Sequence, residues 1–141
     1  MIGNIKIENN VKPSEVKNFI SNCGSSLTYF RYFDKRSYEI IYNHIQTILL
    51  HEENEVVGYG HLENEKNKTW LGIVLKEGKK GKGYGEMIMN YLLYYYQNNM
   101  EYPLYLTVDI KNKIALKFFE KSGFRIENKI NPKSFLMKYH N

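Results

Sequence analysis

The 141 residues suit one domain around one hydrophobic core, and a composition of 43% hydrophobic and 25% charged residues is that of a globular chain. A formal net charge of +5 and a pI of about 9.1 favour anionic partners without choosing among nucleic acid, an anionic membrane and a phosphorylated cofactor. One cysteine, Cys23, excludes an intrachain disulfide and a cysteine-rich zinc site, and no run approaches the ~18 apolar residues of a membrane span. The expectation is a single cytoplasmic domain over residues 1–141, without a metal.

In chain order, Ile5 and Ile7 alternate with charged residues and predict a short first strand. Pro13-Ser14-Glu15 opens a helix carrying Val16, Phe19 and Ile20 at helical spacing, and Ser21 to Gly24 reads as its end. Residues 23–36 are irregular and aromatic, and helical spacing returns with Tyr38, Ile41 and Ile45. Thr47 to His51 and Val56 to Leu62 predict a hairpin around Glu52-Glu53-Asn54-Glu55, with Gly58 and Gly60 on one face and Val57, Tyr59, His61 and Glu63 on the other. A polar turn, Asn64 to Lys68, leads to a buried strand from Thr69 to Leu75.

A glycine-rich segment then opens into a long helix whose expected apolar face is Met87, Ile88, Tyr91, Leu92, Tyr94 and Tyr95. Pro103 to Val108 is strand-like, Asn112 to Lys121 helical with Gly123 as its stop, and Phe124 to Glu127 and Ser134 to Tyr139 are two closing strands. The predicted order is β-α-α-β-β-β-α-β-α-β-β, a mixed α/β domain with an antiparallel meander leading into a βαβ-like half.

The segment Lys80-Gly81-Lys82-Gly83-Tyr84-Gly85 carries the chemistry. A strand that runs through glycines into a helix N-terminus offers free N–H groups and the positive end of a helix dipole to a phosphate or pyrophosphate. Lys76, Lys79, Lys80 and Lys82 concentrate cations there. A P-loop requires Gly-x-x-x-x-Gly-Lys followed by Ser or Thr, which is absent. The dinucleotide fingerprint requires a third glycine where Ile88 stands, and it belongs at the opening of a domain rather than after a meander. A flexible surface turn with solvated lysines is the alternative to a phosphate site.

Downstream runs Asn112-Lys113-Ile114-Ala115-Leu116-Lys117-Phe118-Phe119-Glu120-Lys121-Ser122-Gly123-Phe124. With both segments in hand, the chain resembles the GNAT superfamily of N-acetyltransferases. That family's cofactor loop, Arg/Gln-x-x-Gly-x-Gly/Ala, is matched by Lys80 to Gly85 with Lys in first place. Its later motif, Asn-x-x-Ala-x-x-x-Tyr-Glu-Lys-x-Gly-Phe, is matched at every fixed position but one, where Phe119 replaces Tyr. The resemblance is specific over about residues 56–128 and architectural before them.

The resemblance implies a splayed central sheet and acetyl-coenzyme A as acyl donor, with no metal. Ile73, Val74 and Leu75 would lie along the pantetheine arm, one of their N–H groups polarising the thioester carbonyl. Lys80, Gly81, Lys82, Gly83, Tyr84 and Gly85 would cradle the pyrophosphate, with Asn112, Ala115 and Phe119 also on the cofactor. Asn112 reads equally well as a helix N-cap. Phe119 cannot donate the proton that the family's Tyr gives to the departing thiolate, so Tyr84, a tyrosine of the 29–42 region or water would have to serve, or the chain would bind acyl-coenzyme A without turning it over.

The expected reaction is direct transfer to a primary amine, with His61 or Glu63 as the base. Arg31, Tyr32 and His44 are candidate contacts to the acceptor. The aromatic, arginine-bearing segment suggests an amino sugar or sugar nucleotide, since planar rings stack on sugar faces and arginine pairs with phosphate. A peptide N-terminus is a further option, as is a homodimer. The competing class is a basic nucleic-acid-binding module, against which stands the confinement of the lysines to one loop.

Overall fold

The computed structural model describes residues 4–140. Its elements are β1 (Ile5–Glu8), α1 (Pro13–Ser21), 3-10 helices at Gly24–Thr28 and Tyr38–Asn43, β2 (Gln46–Glu52), β3 (Glu55–Glu65), β4 (Lys68–Leu75), α2 (Tyr84–Asn99), β5 (Leu104–Asp109), α3 (Lys113–Lys121), β6 (Phe124–Asn131) and β7 (Ser134–Tyr139). The strands form one mixed sheet in the order β1-β2-β3-β4-β5-β7-β6.

The helix expected around Tyr38, Ile41 and Ile45 is instead a six-residue 3-10 helix. Only Ile41 of it is buried, and by Ile45 the chain is extended, its N–H donating to the Leu62 carbonyl at 2.8 Å. The lead into β2 therefore claims the third residue of the helical pattern. α1 forms as expected, with Pro13 in its first turn and the Glu15 carboxylate accepting from Lys12 N–H at 2.9 Å.

The turn expected over Asn64–Lys68 is shorter than its polarity suggests. β3 and β4 stay paired to Glu65↔Lys68, and Lys66 and Asn67 (φ 53° and 62°) make a two-residue hairpin loop of the type whose twist suits the strands. This register sets Glu63 opposite Trp70 and His61 opposite Gly72.

The sheet separates two apolar layers. On one side α2 packs Ile88, Met89 and Leu92 against Ile48, Leu50 and Leu62. On the other, Val16, Phe19, Ile20, Phe33 and Ile41 cover Leu49, Tyr59 and Val74. Cys23 is fully buried in this second layer, where burial pushes its thiol pKa up to about 11, so it is packing material and not a nucleophile. The face of α2 turned to the sheet is centred on Tyr84, Ile88, Met89 and Leu92. Met87 and Tyr94, expected on it, are exposed, Tyr94 by 62%. The helix can sit this close because Gly58 and Gly60 have no side chains: a Cβ on either would stand 2.6 Å from an Ile88 methyl. We predict that Gly60→Ala costs about 1–3 kcal/mol through overpacking, read as a lowered denaturation midpoint at unchanged slope.

Candidate active site

β4 and β5 run parallel and pair only at Thr69↔Leu104 and Trp70↔Tyr105. Beyond Trp70 they part, so β4 from Leu71 to Leu75 keeps its antiparallel partner β3 but has no strand on its other edge among the described residues. The gap is the mouth of a cleft of about 1030 Å³, lined along β4 by Trp70 to Leu75, along β5 by Leu106 to Asp109, and along α3 by Asn112, Ala115, Phe118 and Phe119. Ile73, Val74 and Leu75, predicted beside the cofactor, all line it.

One end of the cleft is the glycine loop. Gly81 and Gly83 take φ of +79° and +86°, and no heavy atom of the described residues lies within 4 Å of where a Cβ would stand on either. Gly83 is the N-cap of α2 and supplies no capping side chain, so the first N–H groups of the helix face outward without one. Lys80, Gly81, Gly83 and Gly85 line the cleft. Lys76 and Lys79 do not extend the cationic patch as far as their sequence suggests: they are paired with Glu55 and with Glu52 and Glu55, at 2.7–3.4 Å. Lys80 and Lys82 make no ion pair among the described residues. The Tyr84 side chain turns away from the cleft, 4% exposed and donating to Glu52, so only its backbone is available to a phosphate.

Asn112 is the helix N-cap that its sequence allowed. Its Oδ1 accepts from Ala115 N–H at 3.3 Å, capping α3, while the residue lines the cleft. Phe119 is 7% exposed and presents a ring, packed on Phe118 and Phe124, where the resembled motif carries a tyrosine hydroxyl.

These residues fit a coenzyme A. The uncapped N-terminus, the open glycines and Lys80 suit a pyrophosphate, and the unpaired edge of β4 suits an amide-bearing arm that adds to it as a strand would.

The opposite end holds a polar cluster in an aromatic wall. The Tyr32 hydroxyl donates to Glu63 Oε1 at 2.8 Å and stands 2.7 Å from His44 Nε2, which must then be its donor. His44 Nδ1 in turn lies 2.9 Å from Thr47 Oγ1. His61 packs 4.4 Å from both the Tyr32 and the His44 rings, with Nδ1 2.6 Å from the Tyr59 hydroxyl. Its imidazole lies across Gly72, where a Cβ would come within 2.4 Å of Cε1. Burial pushes the His44 pKa down to about 4, with Arg36 adding to the effect, and holds the fully buried His61 well below its ordinary value. Burial, reinforced by Glu63, raises the pKa of Tyr32. Both imidazoles are therefore neutral and the phenol protonated at pH 7.

Arg31, a predicted acceptor contact, and Arg36 of the same segment are both engaged. Arg31 reaches Asp109 Oδ2 at 3.4 Å, and Asp109 lines the cleft at the end of β5. Arg36 lies 4.1 Å over the Tyr32 ring and donates to the Tyr32 carbonyl at 2.7 Å. Trp70 was not foreseen. It lines the cleft, and its buried Nε1 has no hydrogen-bond partner among the described residues. Its only signal in the sequence is the cross-strand position opposite Glu63, which depends on the two-residue turn. Tyr59, the partner of His61, was likewise placed on the correct face without its role being evident.

Comparison with known proteins places the fold and the family. No curated protein matches the sequence. Among solved structures, Ard1 from Thermoplasma volcanium superposes with a TM-score of 0.79 at 17% identity, over 97% of this chain and 99% of that one. The PaiA N-acetyltransferase of Thermoplasma acidophilum, solved in complex with coenzyme A, gives 0.76 at 17% identity over 98% and 99%. A spermidine N-acetyltransferase SpeG chimera from Vibrio cholerae and hSSAT gives 0.71 at 20% identity over 96% and 94%. At such identities the likeness establishes the fold. The family model described as acetyltransferase (GNAT) family matches residues 17–124, a span that takes in the parted strands, the glycine loop and α3, and by that match the chain belongs to the GNAT acetyltransferase family.

Proposed function

We propose that the chain is an acetyl-coenzyme A-dependent N-acetyltransferase that acetylates the primary amine of a small molecule by direct transfer, as one cytoplasmic domain over residues 1–141. The observation that carries this reading is the parting of β4 from β5 beside an uncapped helix N-terminus, with Glu63 on the far side of the same cleft. Among the described residues no helix is long and apolar enough to cross a membrane.

The donor, when bound, supplies an acetyl group as a thioester. Lys80 and the N–H groups around Gly81, Gly83 and Gly85 hold its pyrophosphate, while Asn112 and Ala115 flank its arm. A backbone N–H of Ile73, Val74 or Leu75 orients the thioester carbonyl. Glu63 takes the amine proton. It lines the cleft and already accepts a hydrogen bond from Tyr32, which keeps its carboxylate in place. His61, the other candidate, is the weaker base: its protonated form is penalised by burial, and its Nδ1 is occupied by Tyr59. It serves better to pack and orient Tyr32. Phe119 offers no proton, so proton traffic at the cleft rests on Glu63, Tyr32 and water.

For the acceptor, the Glu63 and Glu65 carboxylates within a wall of Tyr29, Phe30, Tyr32 and Trp70 favour a small cationic amine with an apolar or ring face. An amino sugar meets that description. A sugar nucleotide meets it less well, because Arg31 and Arg36 are already engaged and no free arginine pair awaits a phosphate. The ion pairs of Lys76 and Lys79 argue against a nucleic-acid surface.

Two measurements follow. Acetyl-coenzyme A should raise the melting temperature, by the equivalent of about 2.7 kcal/mol at a hundredfold excess over its dissociation constant, whereas an oligonucleotide should not. Gly83→Ala, strained at φ +86° by about 1–2 kcal/mol but free of clashes, should fold and lose most of that shift, as should Lys80→Ala. Absence of any shift at millimolar acetyl-coenzyme A rejects the reading. With a panel of amines and free-thiol detection, Glu63→Gln should lower kcat by about 10²- to 10⁴-fold and leave the acetyl-coenzyme A shift intact. An unchanged kcat would move the base elsewhere, to His61 first.

A further inference from the structure

The cluster at the acceptor end contains more ligating chemistry than a single general base requires. One donor atom from each of His44, His61 and Glu63 lies within 4.8 Å of the other two, and His61 is fully enclosed. Each imidazole has its Nδ1 held by a hydroxyl, His44 by Thr47 Oγ1 at 2.9 Å and His61 by Tyr59 at 2.6 Å. That is the outer-shell arrangement that fixes ring orientation in metal sites and leaves Nε2 to the ion. Gly72 lets the His61 ring lie flat across β4, and the hydroxyl of Tyr32 lies within 2.8 Å of both His44 Nε2 and Glu63 Oε1.

We propose that His44, His61 and Glu63 form a binding site for a divalent first-row transition ion such as Zn²⁺, with Tyr32 at its rim. Two imidazole nitrogens and one carboxylate are a ligand set these ions accept, with a further position left for water or the phenol. Donors about 2.0–2.2 Å from a tetrahedral ion stand roughly 3.4 Å apart, so the site closes by rotation of the Glu63 carboxyl and displacement of the Tyr32 hydroxyl. The proton that His44 carries on Nε2 moves to Nδ1, where Thr47 Oγ1 accepts it.

Occupancy removes Glu63 from proton transfer and fills the acceptor end of the cleft, so ion and amine compete. That consequence rests on the proposed role of Glu63. Binding itself does not, and the test reads binding.

The full chain, without donor or amine, is titrated with Zn²⁺ by calorimetry and with Co²⁺ by visible absorption. One equivalent should bind at micromolar or lower dissociation constant, with the d–d bands of a four- or five-coordinate Co²⁺ ion. His44→Ala and Glu63→Gln should each weaken binding by at least the tenfold to hundredfold that loss of an outer-shell partner costs. A double variant, His51→Ala with His140→Ala, removes the chain's other two histidines and should bind as the parent does. Circular dichroism without metal checks each variant, and Glu63→Gln, being isosteric, decides the matter if His44→Ala does not fold. No binding, affinity unchanged in Glu63→Gln, or affinity lost in the double variant overturns the proposal.

Discussion

Everything at this site depends on two strands that stop pairing. Had β4 and β5 kept their ladder beyond Trp70↔Tyr105, each N–H and C=O from Leu71 onward would be satisfied within the sheet and no cleft would exist. Unpaired backbone buried without a partner is costly, so an edge left open in the middle of a seven-stranded sheet is a place for a ligand that brings its own amides. β4 remains rigid there because its other edge is fully paired to β3 from Gly58↔Leu75 to Glu65↔Lys68. The binding edge is thus exposed and held at once.

The same register organises the rest. α2 begins where β4 ends, after a loop whose glycines take positive φ, so the helix N-terminus is delivered to one end of the open edge. At the other end, the two-residue turn sets His61 against Gly72 and Glu63 against Trp70. Those are cross-strand neighbours, and their side chains share a face. The aromatic segment between the two 3-10 helices closes over that face and brings the Tyr32 hydroxyl within hydrogen-bonding range of both Glu63 and His44, the residue that follows the second of those helices. Burial then keeps both imidazoles neutral and the phenol protonated beside Glu63.

Much of this was legible in the residues. The element order followed from periodicity and from Pro13, Gly83 and Gly123, and β7 has the bounds its pattern predicts. The Asn112–Phe124 segment carried the resemblance to the acetyltransferase family that the loop alone could not, and the chain belongs to that family. What escaped was whatever depends on geometry between elements. Tyr38, Ile41 and Ile45 have helical spacing, yet the pull of β2 on Ile45 limits the helix to 3-10 turns. Met87 and Tyr94 look like core by hydropathy, but α2 rotates about the close contact with Gly58 and Gly60 and leaves them outside. Tyr84 sits in the loop motif, yet Glu52 draws its hydroxyl away. The cluster of Tyr32, His44, His61 and Glu63 joins segments that only the sheet register brings together, and the lysine run overstated the cationic patch because Glu52 and Glu55 lie across the hairpin from it.

The most direct measurement is amide hydrogen exchange with and without coenzyme A. The account predicts slowed exchange in two stretches, the open edge at residues 71–75 and the loop and first helical turn at residues 81–87, with little change along β1, β2 and β6. Protection absent from the 71–75 edge, or confined to the aromatic segment at 29–42, would contradict it.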